Sequence, residues 1–321
     1  MQAALVTRLD GPVAVEVADV DAPEAGGRVL IDVAAAGVTY PDVLLTRGEY
    51  QMKPTPPFVP GSEVAGTVRS APEGSGFAAG DRVAALCGIG GFAEVAAAGA
   101  DSVFPLPDDV SFAEGAALPV NHLTAELALG RRGRVQAGET VLVHGAAGGV
   151  GAAAVQVAKV LGARVLAVTS TEEKAALARR LGADETLPVD GFKDAARELT
   201  DGRGVDVVVD PVGGDRFTDS LRSLAREGRL LVLGFVGGEI PTVKVNRLLL
   251  ANTSVVGVAW GELVMATPGL LQEQWARLLP HLEAGALRPA VGATHPLADA
   301  GAALARLDER RALGNVVLTV P

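Results

Sequence analysis

The stretch VLVHGAAGGVG, from Val141 to Gly151, constrains the fold of this chain more than any other. A short apolar run enters four glycines, and a long Ala/Val-rich segment leaves them. Alone, such a loop is either a tight turn in a small-residue core or a cradle for a dinucleotide. Its neighbours decide between the two. From residue 140 the chain alternates strand and helix: TVLVH (140–144), a helix over 149–161, RVLAV (164–168), a helix over 171–181, DETLPV (184–189) and a helix over 192–199. VDVVVD (205–210), a helix over 215–224, RLLVLG (229–234) and SVVGVAW (254–260) complete the series. Short apolar strands separated by helices predict a parallel sheet covered on both faces, the doubly wound Rossmann arrangement.

Within that frame the loop reads as a cradle. Ala146, Gly148 and Gly151 have the spacing A-x-G-x-x-G after a strand and before a helix. Gly148 lets the backbone approach a pyrophosphate, and Gly151 lets helix and sheet pack closely. Ala147, Gly148, Gly149, Val150 and Gly151 supply the turn and the positive N-terminal end of the helix. An NAD binder places Asp or Glu roughly 20 residues further on, for the ribose 2′-hydroxyl. Val168, Thr169, Ser170 and Thr171 stand there instead, all uncharged. Glu172 and Glu173 follow in the first helical turn, where acids are ordinary. Lys174 can reach a 2′-phosphate with the Ser170 hydroxyl as a second donor, or it can pair with a neighbouring glutamate. The pattern favours NADPH over NADH.

Composition narrows the classes. A formal charge of −10 argues against nucleic-acid or anionic-membrane binding. Arg8 and Asp10 interrupt the N-terminal apolar stretch, so no signal peptide is expected, and no run reaches the roughly 18 apolar residues of a spanning helix. The expectation is a cytoplasmic protein. Cys87 stands alone and the four histidines (122, 144, 281, 295) are scattered, so no protein metal site is expected. Residues 1–120 read as short strands between dense turns, including VAVEVADV (13–20), RVLIDVAAAGV (28–38) and EVAGTVRSA (63–71). The expected division is a mostly-β catalytic domain over 1–120 and a dinucleotide domain over 121–262. A segment over 263–321, with a helix near 268–284, ends in NVVLTV and returns to the first domain.

Taken together, the loop, GVTYPDVLLTRGEY (37–50), PFVPGSEVAGTV (57–68), GDRV (80–83), ALPVNHLTAELAL (117–129), DPVGG (210–214) and the terminal GNVVL resemble one family. It is the zinc-independent quinone oxidoreductase branch of the medium-chain dehydrogenases/reductases, whose first domain is GroES-like. Zinc-dependent relatives carry a ligand cysteine early in the segment that here reads GVTYPD. They have Gly-His-Glu in place of Gly61-Ser62-Glu63, and a four-cysteine loop that is missing after Cys87. The resemblance therefore implies hydride transfer from NADPH to a quinone or an α,β-unsaturated carbonyl without a metal. An enoyl-thioester reductase and a non-catalytic NADPH-binding sensor are the alternatives.

The same resemblance supplies roles. DPVGG with Asp210, and GFVGG with Gly234, Phe235 and Val236, line the cofactor. Thr124 lies near the nicotinamide, and Arg311 helps to hold the 2′-phosphate. The aromatic that many relatives stack near adenine is replaced by Val189. Tyr50 stands where related thioester reductases place a proton-donating tyrosine, and it either donates or merely walls the pocket. Tyr40 and Trp260 belong to the substrate pocket or to plain packing. Thr39 departs from the usual asparagine, Asp42 orders the loop, and His122 and Cys87 read as structural. The last strand of the sheet implies a homodimer by edge pairing.

Overall fold

The structure, a computed structural model describing residues 1–321, divides into two compact units: 1–120 with 269–321, and 121–268. In the first unit β1 (Gln2–Val6) and β2 (Val15–Asp19) form an antiparallel ribbon. The strand expected over 13–20 is shorter, because Pro12 opens a 3-10 turn over Pro12–Ala14. Its alternation also does not map onto burial, since Val17 is exposed: the ribbon has only two strands, and one face stays open.

β3 (Val29–Val38), β4 (Glu63–Ser70), β5 (Arg82–Leu86), β6 (Val95–Ala98) and β7 (Val103–Pro105) follow. Two short helices, α1 (Tyr40–Thr46) and α2 (Phe112–Gly115), lie among them, and α3 (Pro119–Glu126) leads into the second unit.

The second unit is the parallel sheet that the alternation predicts. Its strands are β8 (Thr140–His144), β9 (Arg164–Thr169), β10 (Glu185–Pro188), β11 (Val205–Asp210), β12 (Leu224–Val232) and β13 (Ser254–Gly257). They stand in the order β10-β9-β8-β11-β12-β13, every neighbouring pair parallel. Between them run α4 (Gly149–Val160), α5 (Glu172–Arg180), α6 (Phe192–Glu198), α7 (Phe217–Ser223) and α8 (Asn246–Ala251), with α9 (Trp260–Ala266) after β13. All five residues of β8 are buried, as its unbroken apolar run requires. The strand order reverses at β8, which sets a ligand crevice at the carboxyl ends of the central strands.

The last strand ends at Gly257, and Trp260 opens a helix instead of closing a strand. The apolar run continues through VAW, but β13 has only β12 beside it and the ladder stops there.

The remaining chain returns to the first unit as α10 (Leu270–Glu283), β14 (Val291–Pro296), α11 (Ala300–Asp308) and β15 (Asn315–Thr319). β15 lies antiparallel beside β3 and parallel to β14, completing a seven-stranded sheet. Its core joins Ile31, Val33, Val64 and Phe92 to Leu304, Val316 and Leu318. This mostly-β unit and the doubly wound sheet make the chain α/β.

Candidate functional site

His144 closes β8 and Gly145 turns the chain at φ +60°. The Gly148 N–H donates to the Gly145 carbonyl at 2.9 Å, and α4 begins one residue later. A Cβ on Gly151 would overlap that same carbonyl, so this glycine is required for packing. At Gly148 a Cβ would meet only the Gly145 oxygen, at 3.4 Å, and the space is otherwise open. One glycine is thus filled against and the other is left bare, as a ligand cradle needs. Ala147 is buried beneath the turn, while Gly149 and Val150 are half-exposed in the first helical turn, whose N–H groups have no partner within the helix.

α3 supports the loop from the side. The Asn121 carboxamide stands 2.9 Å from where a Gly149 Cβ would sit, a neighbour that the glycine spacing does not reveal. Its only sequence signal is a polar residue inside the apolar ALPVNHL. His122 Nε2 is 3.4 Å from Gln156 Oε1 on α4, so the ring joins two helices. Thr124 is the one residue between Asn121 and Leu129 that is not buried.

At the end of β11, Asp210 Oδ1 accepts the N–H groups of Val212 and Gly213, both at 2.9 Å. The carboxylate is committed to its own turn, and burial pushes its pKa up. DPVGG and GFVGG are zipped together: Val236 N–H donates to Pro211 O at 3.2 Å and Gly237 N–H to Val212 O at 2.8 Å. Gly234 is half-buried, and the Phe235 ring lies against Gly213 and is 39% exposed. Beneath them His144 Nε2 meets Ser220 Oγ at 2.8 Å, and that hydroxyl donates to Arg216 O at 3.0 Å. The imidazole is therefore the N–H donor of its pair. Burial first, and the Arg216 charge second, hold its pKa down at about 3.

The end of β9 is uncharged, as the sequence predicts. Thr171 caps α5 by accepting the Lys174 N–H at 3.3 Å, and Lys174 Nζ donates to Ser170 Oγ at 3.4 Å. Glu172 is ion-paired with Arg179 one helical face along. Val189 packs on the core of the sheet and presents no aromatic ring.

The remaining expected residues lie in the first unit, except Trp260, which is half-buried at the start of α9. Tyr40 is the first residue of α1 and half-buried. The Tyr50 ring packs on Val6, Leu45 and Phe58, which fixes the phenol. Arg311, on the turn before β15, is paired with Glu309.

Asp42 Oδ2 accepts the Thr39 N–H at 2.8 Å and hydroxyl at 2.6 Å, and Oδ1 accepts the Gly61 N–H at 3.2 Å. The capping box and this cross-link hold the two loops together. Burial pushes Asp42 up to about 6. Glu63, wholly buried on β4, accepts the Val120 N–H at 2.7 Å and is pushed up to about 8, chiefly by burial. The Cys87 thiol donates to Gly61 O at 3.4 Å, and desolvation pushes it up to about 12.

A GroES-like β unit interrupted by a doubly wound dinucleotide unit is the architecture of a medium-chain dehydrogenase/reductase. Residues 25–108 match the alcohol dehydrogenase GroES-like domain and residues 149–284 the zinc-binding dehydrogenase family. The quinone oxidoreductase-like protein 2 of Mus musculus is 38% identical over 99% of this chain and 92% of that protein. A probable oxidoreductase from Mycobacterium abscessus superposes with a TM-score of 0.91 at 47% identity, covering 99% of this chain and 98% of that one. The quinone oxidoreductase of Thermus thermophilus, solved alone and with NADPH, superposes with a TM-score of 0.86 at 40% identity, covering 99% of this chain and 100% of that one. The chain belongs to the quinone oxidoreductase family of the medium-chain dehydrogenases/reductases.

The zinc in the family model's description does not fit this chain. No group of three or more His, Cys, Asp or Glu side chains could hold a metal ion. Ser62 stands between Gly61 and Glu63, and the Asp42 oxygens are taken by the backbone and Thr39.

Proposed function

We propose that the chain is an NADPH-dependent, metal-free reductase of quinones and α,β-unsaturated carbonyl compounds, acting as a cytoplasmic homodimer. The observation that carries this reading is the end of β9. Ser170 and Lys174 present a hydroxyl and an ammonium at 3.4 Å from each other, with no carboxylate between Val168 and Thr171. A ribose 2′-phosphate is attracted there, and the 2′-hydroxyl of NADH finds no carboxylate to accept its hydrogen bond. The open space above Gly148 and the free helix N-terminus fit the pyrophosphate. Thr124, Gly234, Phe235, Val236 and the Asp210 turn line the remaining length.

When bound, NADPH supplies a hydride to an electrophilic carbon of the acceptor. The chain's own residues orient and protonate. Tyr50 donates a hydrogen bond from its phenol hydroxyl to the acceptor's carbonyl oxygen. Its ring is held by Val6, Leu45 and Phe58, which limits the entropy lost on orienting it. Tyr40 walls the acceptor. The quinone reductase relatives and the NADPH complex of the Thermus enzyme support this reading.

Consumption of NADPH, followed by nicotinamide absorbance, tests it with a small quinone, an enone and an enoyl thioester. Turnover of the quinone or the enone supports the proposal. Turnover of the thioester alone assigns a thioester reductase, and tight NADPH binding without any turnover assigns a sensor.

A further inference from the structure

The end of the six-stranded sheet away from the glycine loop, where β8, β12 and β13 begin, carries a pocket of about 500 Å³. Its wall is the segment RRGR, residues 131–134. Arg131 and Arg132 close a π-helical turn over Leu127–Arg132. Gly133 follows where a Cβ would stand 2.7 Å from the Ala128 carbonyl, and Arg134 turns back at φ +50°. These constraints fix the backbone from which three arginines project within four residues. π-Helical turns recur at functional sites.

The floor is equally fixed. Arg229 makes a two-pronged pair with Glu139, both contacts 2.6 Å, and its Nε donates to Gly133 O at 2.6 Å. Glu139 is thereby used up, and hydrogen bonding to Arg229 holds its carboxyl below the usual range. Arg132 Nε donates to Gly257 O at 3.1 Å, which orients that guanidinium. The guanidinium groups of Arg131 and Arg134 make no hydrogen bond or ion pair. The one carboxylate left on the lining is Glu227, at φ +62° in the kinked part of β12. The pocket therefore holds an excess of two positive charges on a chain of net charge −10.

We propose that this pocket is a second anion site, which takes a multivalent phosphate-type oxyanion independently of the cofactor. Planar guanidinium forks match phosphate oxygens two at a time, and a site with two uncommitted forks and one oriented fork selects a multivalent ligand over chloride. It lies at the opposite end of the strands from the glycine loop, so its occupant and the dinucleotide do not compete.

Titration calorimetry with inorganic pyrophosphate, in the presence of excess NADPH to fill the glycine loop, tests the site. Saturable binding is expected, weakened at least about tenfold in Arg131→Ala/Arg134→Ala by loss of two charge-assisted contacts. Glu227→Gln removes the opposing charge and is expected to tighten binding several-fold. It decides the matter if the double variant fails to fold. ADP binding as tightly as pyrophosphate indicates a bare oxyanion, whereas tighter ADP binding indicates a nucleotide, and both support the site if the double variant abolishes them. Absence of saturable binding, or equal affinity in all three proteins, overturns the proposal. The comparison between variants holds whether or not NADPH is the cofactor.

Discussion

Glu63 Oε2 accepts the backbone N–H of Val120 at 2.7 Å, tying strand β4 to the first turn of α3, 57 residues on. The carboxyl is wholly buried and keeps its proton up to about pH 8. Below about pH 4.5 it is protonated in both folded and unfolded chains. Above that, the unfolded chain releases a proton that the native state retains, so stability falls as pH rises. Asp42 acts in the same direction but only to about pH 6. His144, held down at about 3 against an ordinary 6.5, loses stability as pH falls and is silent above that range. Between pH 6.5 and 8, Glu63 therefore acts alone among these three. Denaturant unfolding should show a loss of up to about 2 kcal/mol across that window, and Glu63→Gln should flatten it. A wild-type profile that is already flat would contradict the buried acid.

Lys174→Glu tests the cofactor choice. It is expected to weaken NADPH by at least about tenfold, the size of one charge-assisted hydrogen bond, and to leave NADH nearly unchanged. Equal losses for the two, measured as KM or by fluorescence titration, would remove Lys174 from the 2′-phosphate.

Tyr50→Phe keeps the ring on Val6, Leu45 and Phe58 and removes only the hydroxyl. If the phenol donates, kcat for an enone should drop by about a hundredfold, with quinone reduction less affected. An unchanged kcat reduces Tyr50 to a wall residue.

The two glycines of the loop should respond differently. Gly151→Ala drives a methyl into the Gly145 carbonyl and is expected to cost about 1–3 kcal/mol in stability. Gly148→Ala has room and should fold normally, yet lose dinucleotide affinity because the methyl occupies the approach to the backbone. Thermal melts with and without NADPH separate the two. A Gly148→Ala protein with native affinity would refute the cradle.

Around edge strand β13 lie exposed Val245, Leu249, Leu250 and Met265, 71–81% accessible. Exposed apolar side chains in this number call for a partner, and a second copy covers them in the proposed dimer. Light scattering should show a dimer for the wild type at micromolar concentration and a monomer for Leu249→Asp/Leu250→Asp. A wild-type monomer would exclude the pairing.

What the sequence made legible was local. β8 runs over the expected residues because an unbroken apolar run ends at a glycine, and Ser170 with Lys174 are neighbours because a helix brings residues four apart together. What it hid was non-local. Nothing in the spacing ties Glu63 to Val120, Asn121 to Gly149, or His144 to Ser220, since each pair meets only through tertiary packing. The helix that opens at Trp260 is hidden from the sequence for a related reason. An apolar run does not announce that its neighbouring strand has ended.

β15 has one further consequence, which concerns the order of events during synthesis. It sits between β14 and β3, one strand in from the edge of the first unit's sheet, although nearly the whole chain separates it from β3. The nucleotide-binding unit is contiguous and can close while translation continues. The N-terminal β-sheet must wait, with the buried flank of β3 uncovered, until the final strand emerges. The part that leaves the ribosome first is the part that finishes last, and the completed nucleotide unit stands folded while it waits.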